Sequence, residues 1–107
     1  MATIIWEDTA KLQLAENITY AMMEFGKTTA LRWEKDIQAV EWRLEHYPTS
    51  YPPEPTLQDR HHLYRYCHVM HRRFKLIYFF DESNDMVRVM DIWDTRMSPE
   101  ALIKRIT

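Results

Sequence analysis

One glycine stands in the whole chain, Gly26, and it follows Phe25 directly. Every other turn must therefore be made without glycine, while this position has freedom that no other residue has. Before it, Leu14, Ile18, Ala21, Met22 and Phe25 recur at steps of three and four. That spacing predicts a helix with one buried face. Glu7-Asp8-Thr9 supplies acids and a capping side chain where such a helix would start. After it, Ala30, Trp33, Ile37, Val40, Leu44 and Tyr47 step by 3, 4, 3, 4 and 3 until Pro48. This is the clearest helical stripe in the chain, with Thr28 or Thr29 as its cap and Arg32 and Asp36 able to pair outside. Gly26 at the left-handed end of the first helix then predicts a tight antiparallel helical hairpin. The stripes are core positions and leave no cofactor site between the helices.

The remaining elements read as strands. Thr3-Ile4-Ile5-Trp6 is a short β-type run ahead of the hairpin. Pro48 to Pro55 holds four prolines and predicts a semi-rigid connection within the domain. Three runs follow: Tyr64 to Met70, the most apolar Phe74 to Phe80, and Met86 to Trp93 after a polar turn at 81–85. Ser98-Pro99-Glu100 opens a short last helix carrying Leu102, Ile103 and Ile106. The predicted class is α+β, in the order β-α-α-β-β-β-α. Its antiparallel sheet carries the helical hairpin on one face, and residues 1–107 form one domain. No run approaches the ~20 apolar residues of a membrane helix. The opening residues show no cationic-then-apolar leader, so export is not expected. The lone Cys67 excludes an internal disulfide, fits a reducing cytoplasm, and reads as a small core residue.

Charge is segregated. Residues 60–80 hold five of the fourteen Lys/Arg, four of the five histidines and no acid, although the chain carries a net −2. Such clustering draws polyanions more than net charge does. Strand alternation sorts this segment. Phe74, Leu76, Tyr78 and Phe80 should meet the helices, which sends Lys75, Ile77 and Phe79 to the other face. An even turn at Arg72-Arg73 sets Met70 opposite Lys75 and puts Tyr64, Tyr66 and His68 on that face. An odd turn would bring out Arg65 and His71 instead; the apolar pattern favours the even one. In the last strand Val87, Val89 and Trp93 form the core set, and Arg88, Met90, Ile92, Asp94 and Arg96 the other. Asp91 breaks the pattern, as a bulge would.

The uncovered face then gathers Tyr64, Tyr66, His68, Lys75, Arg88 and Arg96. Cations hold phosphates and tyrosines stack on unpaired bases. A histidine can move a proton beside cations that neutralise a phosphorane. An uncovered sheet must show some polar residues, however, and these are ordinary ones. His61, His62, His68 and His71 suggest a metal on paper. On a strand, positions three apart face opposite ways, and no carboxylate or thiolate stands at ligand spacing, so neither metal nor cofactor is expected.

The chain resembles the RelE/ParE superfamily of toxins from type II toxin–antitoxin systems, the plasmid stabilisation family. The matching stretches are Trp6-Glu7-Asp8-Thr9-Ala10, Phe25-Gly26, Tyr64-Arg65-Tyr66, Phe74-Lys75-Leu76-Ile77-Tyr78-Phe79, and Ile92-Trp93-Asp94-Thr95-Arg96 before Ser98-Pro99. The resemblance implies a cytoplasmic toxin silenced by, and oligomerising through, a cognate antitoxin. RelE-like members cleave mRNA at the ribosome; ParE-like members poison DNA gyrase. Two lysines of the nuclease set fall on Tyr66 and His68, an arginine on Lys75, and a second near Arg96. The late tyrosine has no counterpart in Ser98-Pro99-Glu100-Ala101. A metal-independent endoribonuclease would use His68 as acid or base and Lys75 and Arg96 to stabilise the phosphorane. Tyr66 would orient the substrate, and Arg65, Arg72, Arg73, Arg88 and Tyr64 would hold RNA. The alternatives are a gyrase inhibitor without nuclease activity and a partner-binding module that does neither.

Overall fold

The computed structural model describes residues 1–106. Strand β1 (Thr3–Trp6) leads into helices α1 (Asp8–Phe25) and α2 (Lys27–His46). A 3-10 turn at Pro55–Leu57 precedes β2 (Tyr64–Val69), β3 (Phe74–Asp81) and β4 (Met86–Asp94), and α3 (Pro99–Arg105) follows. The four strands lie in the order β1-β4-β3-β2. The β2-β3-β4 meander is antiparallel, as expected. The first strand adds a feature that strand signals alone did not reach: β1 joins the sheet beside β4 and parallel to it. The helical hairpin together with β2 and β3 separates the two in sequence, which supplies the long connection that parallel pairing requires.

Gly26 does more than end α1. It is the junction residue of both helices, so α2 begins at Lys27 and neither Thr28 nor Thr29 caps it. Its φ of 94° and ψ of 174° lie in the extended positive-φ region, not the left-handed helical one. Its N–H donates to the carbonyls of Ala21 and Met22, each at 3.1 Å. Glu7 takes the N-cap position of α1 without a side-chain bond. Asp36 does not spend its carboxylate on Arg32: it accepts the Met70 N–H at 2.7 Å.

The main core lies between the hairpin and one sheet face. Ala10 and Ala21 of α1 and Ala30, Trp33, Ile37, Val40 and Leu44 of α2 pack on Val69, Leu76, Tyr78, Val87, Val89 and Ile92. Ala10, Ala21 and Ala30 are fully buried in this core. Three stripe residues stay largely outside: Met22, Phe25 and Tyr47 are exposed.

The even parity of the β2–β3 turn holds, but the turn is longer than two residues. Residues 70–73 form it, so His68, not Met70, lies opposite Lys75. Met70, His71 and Arg72 all adopt positive φ, and Met70 tucks fully into the core. The register of β3 against β4 slips between Ile77 and Tyr78, leaving Met90 without a partner. That bulge reverses the alternation beyond it. Ile92 therefore joins the hairpin core and Trp93 the opposite face, the reverse of the expected assignment.

That opposite face is not open. Leu57, Leu102 and Ile106 cover it, packed on Tyr64, Ile77, Phe79 and Trp93. The proline-rich connection also shields the β2 edge: Glu54 N donates to Tyr64 O at 2.8 Å and Tyr66 N to Pro52 O at 3.1 Å.

Candidate functional site

Tyr66, His68 and Lys75 do share the face that alternation assigns to them. His68 and Lys75 are cross-strand partners. The Tyr66 and His68 rings meet edge to face at 5.6 Å, and the Lys75 ammonium sits 4.3 Å from the Tyr66 ring centroid.

A fourth member, Glu54, was missed from the sequence. Pro53 and Pro55 flank it, and its side chain caps the following 3-10 turn by accepting the Thr56 N–H at 2.9 Å. An acid two residues ahead of a free N–H, beside a proline at the turn's first position, is the signal that could have found it. Only 1% of the Glu54 side chain is exposed, and its other oxygen takes the Lys75 ammonium at 2.8 Å. Burial pushes the carboxyl's pKa up. The hydrogen bonds from Lys75 and Thr56 pull it down further, and the net shift is downward. Glu54 is therefore a carboxylate, and the Lys75 charge is already matched.

His68 is half-buried, with Nδ1 enclosed and without a hydrogen-bond partner among the described residues. Desolvation, then the Arg72 and Lys75 cations, lower its pKa against the opposing pull of Glu54. The ring is neutral at neutral pH, so it is not ready to donate a proton.

Arg96 does not join this group. It leaves β4 beyond Asp94, which lies opposite Phe74 and so on the hairpin side. Its guanidinium grips Asp94 in a fork, Nε to Oδ1 at 3.1 Å and Nη2 to Oδ2 at 2.9 Å. Tyr20 of α1 is its further electrostatic neighbour. Arg65 also points to the hairpin side, where it donates to the Tyr51 carbonyl at 2.6 Å. Arg72 is exposed in the turn, and Arg73 lines a groove with Phe25 and Trp33. Tyr64 and Arg88 lie on the α3 face but at its other end, where Arg88 pairs with Glu7 at 3.1 Å. The expected nuclease set is thus divided among two faces and a turn. His71, for its part, rests against Trp33, on the opposite side of the sheet from His68.

Asp91, the residue that broke the strand pattern, is fully buried after the bulge. It accepts from Arg105 of α3 at 2.6 Å, which ties the last helix to the sheet. Burial pushes its carboxyl up to about 6, against the lowering effects of Arg105 and the Ile92 backbone.

A helical hairpin on one sheet face and a short helix on the other define a small α+β protein. A solved structure titled "Chromosomal ParDE TA system from P. aeruginosa" superposes with a TM-score of 0.68 at 15% identity, covering 88% of this chain and 96% of that one. No curated protein matches significantly. The family model described as "ParE toxin of type II toxin-antitoxin system, parDE" matches residues 4–99. The chain belongs to that ParE toxin family.

Proposed function

We propose that this chain is a toxin that inhibits DNA gyrase by binding it in the cytoplasm, and that a cognate antitoxin holds it silent. One observation carries this reading over mRNA cleavage: the Lys75 ammonium, the cation best placed beside His68, is taken by the buried Glu54 carboxylate. A phosphorane forming there would have to compete with a partner fixed by the fold. The placement of Arg96 on the hairpin side and the absence of a late tyrosine support it further. Large exposed side chains on the hairpin support a partner-binding role. Tyr20, Met22, Met23, Phe25, Leu31 and Trp42 are each more than two-fifths exposed.

The competing reading, mRNA cleavage at the ribosome, draws on Tyr66, His68 and Lys75 sharing one face. One induced culture separates the two. Loss of negative supercoiling with intact mRNA is the expected result. Mapped mRNA ends with normal supercoiling, abolished by His68→Ala, would establish cleavage instead.

A further inference from the structure

At the far end of the α3 face from Lys75 lies a cleft of about 600 Å³. Three arginines line it from three separate elements: Arg60 from the loop before β2, Arg88 from β4 and Arg105 from α3. Arg60 makes no ion pair among the described residues. Arg88 and Arg105 are each held by one carboxylate, Glu7 and Asp91 respectively. A guanidinium carries five N–H donors in a fixed fork, so each keeps donors for a further acceptor.

The same cleft has an aromatic wall. His62 lies flat on Phe79, with centroids 4.0 Å apart and planes 7° from parallel. Tyr64 meets Phe79 edge-on at 5.6 Å. His61 meets His62 at 5.0 Å with planes 64° apart, and both are exposed, so the wall presents two histidine rings to solvent. Guanidinium forks match phosphate oxygens, and exposed aromatic rings at the cleft wall match a nucleobase. An acidic peptide would satisfy the arginines but leave the ring platform without a purpose.

We infer that this cleft binds a phosphate carried beside a planar base, with Arg60 and Arg88 on the phosphate and His62 against the base. That chemistry belongs both to a free nucleotide and to the end of a nucleic-acid strand. The inference does not depend on whether gyrase is the target.

The test is an amide chemical-shift titration of the full chain with AMP, adenosine, inorganic phosphate, a 5′-phosphorylated oligodeoxynucleotide and a polyglutamate peptide. AMP should move the amides of residues 60–64 and 88, and bind at least about tenfold more tightly than phosphate or adenosine alone. Arg60→Ala should weaken AMP about tenfold. His62→Ala should remove its advantage over inorganic phosphate, and Lys35→Ala on the exposed side of α2 should change neither. The spectrum itself reports whether each variant is folded. Stronger binding of the oligonucleotide than of AMP makes a strand end the source, and the reverse makes it a free nucleotide. The inference is overturned if millimolar AMP moves no amide, if AMP and phosphate bind alike, or if polyglutamate binds more tightly than either nucleotide form.

Discussion

The pairing of Lys75 with Glu54 predicts that Lys75→Met destabilises the fold, and by how much. The parent carboxylate has two partners, the Thr56 N–H at 2.9 Å and the Lys75 ammonium at 2.8 Å. Removing the ammonium leaves one oxygen of a 1%-exposed carboxylate unsatisfied. Breaking a buried ion pair from one side costs about 3–5 kcal/mol. Lys75 is 23% exposed and Thr56 stays in place, so the lower end, about 3 kcal/mol, is expected at pH 7. Against a total of roughly 5–15 kcal/mol this shifts a urea midpoint by about 2 M. The double variant Glu54→Gln/Lys75→Met buries no charge and should return to within about 1 kcal/mol of the parent. The pH dependence has a definite sign. In the parent, the folded Glu54 pKa lies below its ordinary value, so its stabilisation is present above the ordinary range and is lost as pH falls through the folded value. In Lys75→Met, burial remains while the main downward influence is gone, so the pKa moves up and folding takes up a proton. The deficit must then shrink as the solution is acidified. A loss under about 1 kcal/mol, or a deficit indifferent to pH, would refute the pairing as the role of Lys75. The double variant should also keep the parent's toxicity, whereas a catalytic Lys75 would leave it inert.

Asp91 gives the opposite linkage. Its folded carboxyl titrates near 6 against an ordinary 3.8, so the folded state keeps the proton longer and stability falls as pH rises across that window. The fall attributable to this group is up to roughly 3 kcal/mol, and thermal melts of Asp91→Asn from pH 4 to 7 should lack that component. Gly26→Ala should cost about 1–3 kcal/mol, all of it backbone strain. A Cβ there meets no atom within 4 Å while φ stays at 94°, so a melt unchanged by Gly26→Ala would mean the junction relaxes freely. The Cys67 thiol is pushed up to about 12 by burial, so native protein should resist iodoacetamide at pH 8 and react only on unfolding. Stoichiometric labelling of folded protein within minutes would contradict that placement.

The hairpin was legible because its evidence is local. One glycine and an uninterrupted 3-4 stripe specify it, and Ala30 through Leu44 are buried as the spacing requires. The inward set of β3 was legible for the same reason. What escaped depended on contacts between distant residues. A bulge at Met90 reverses Ile92 and Trp93, yet Asp91 was its only sign in the sequence. The parallel pairing of β1 follows from where the crossover lands, which four residues of β-type sequence do not encode. Phe25 and Met22 keep the helical period yet are exposed, because burial is decided by tertiary packing rather than by period.

The dispersal of the positive segment bears directly on function. Cations adjacent in sequence end on opposite faces because a strand alternates. Arg65 is drawn to the Tyr51 carbonyl behind the sheet, and Lys75 to an acid twenty-one residues upstream that helps anchor the proline-rich connection. Each of these contacts secures a piece of chain that has little core of its own. Arg105 does the same for α3 through Asp91. A catalytic surface needs its cations held near the reacting atoms but unneutralised, so that transition-state charge finds them available. Here the fold neutralises them first. The surfaces that remain available are the apolar side chains of the hairpin and the cleft beside His62, where Arg60 makes no ion pair among the described residues. Both suit recognition of another molecule.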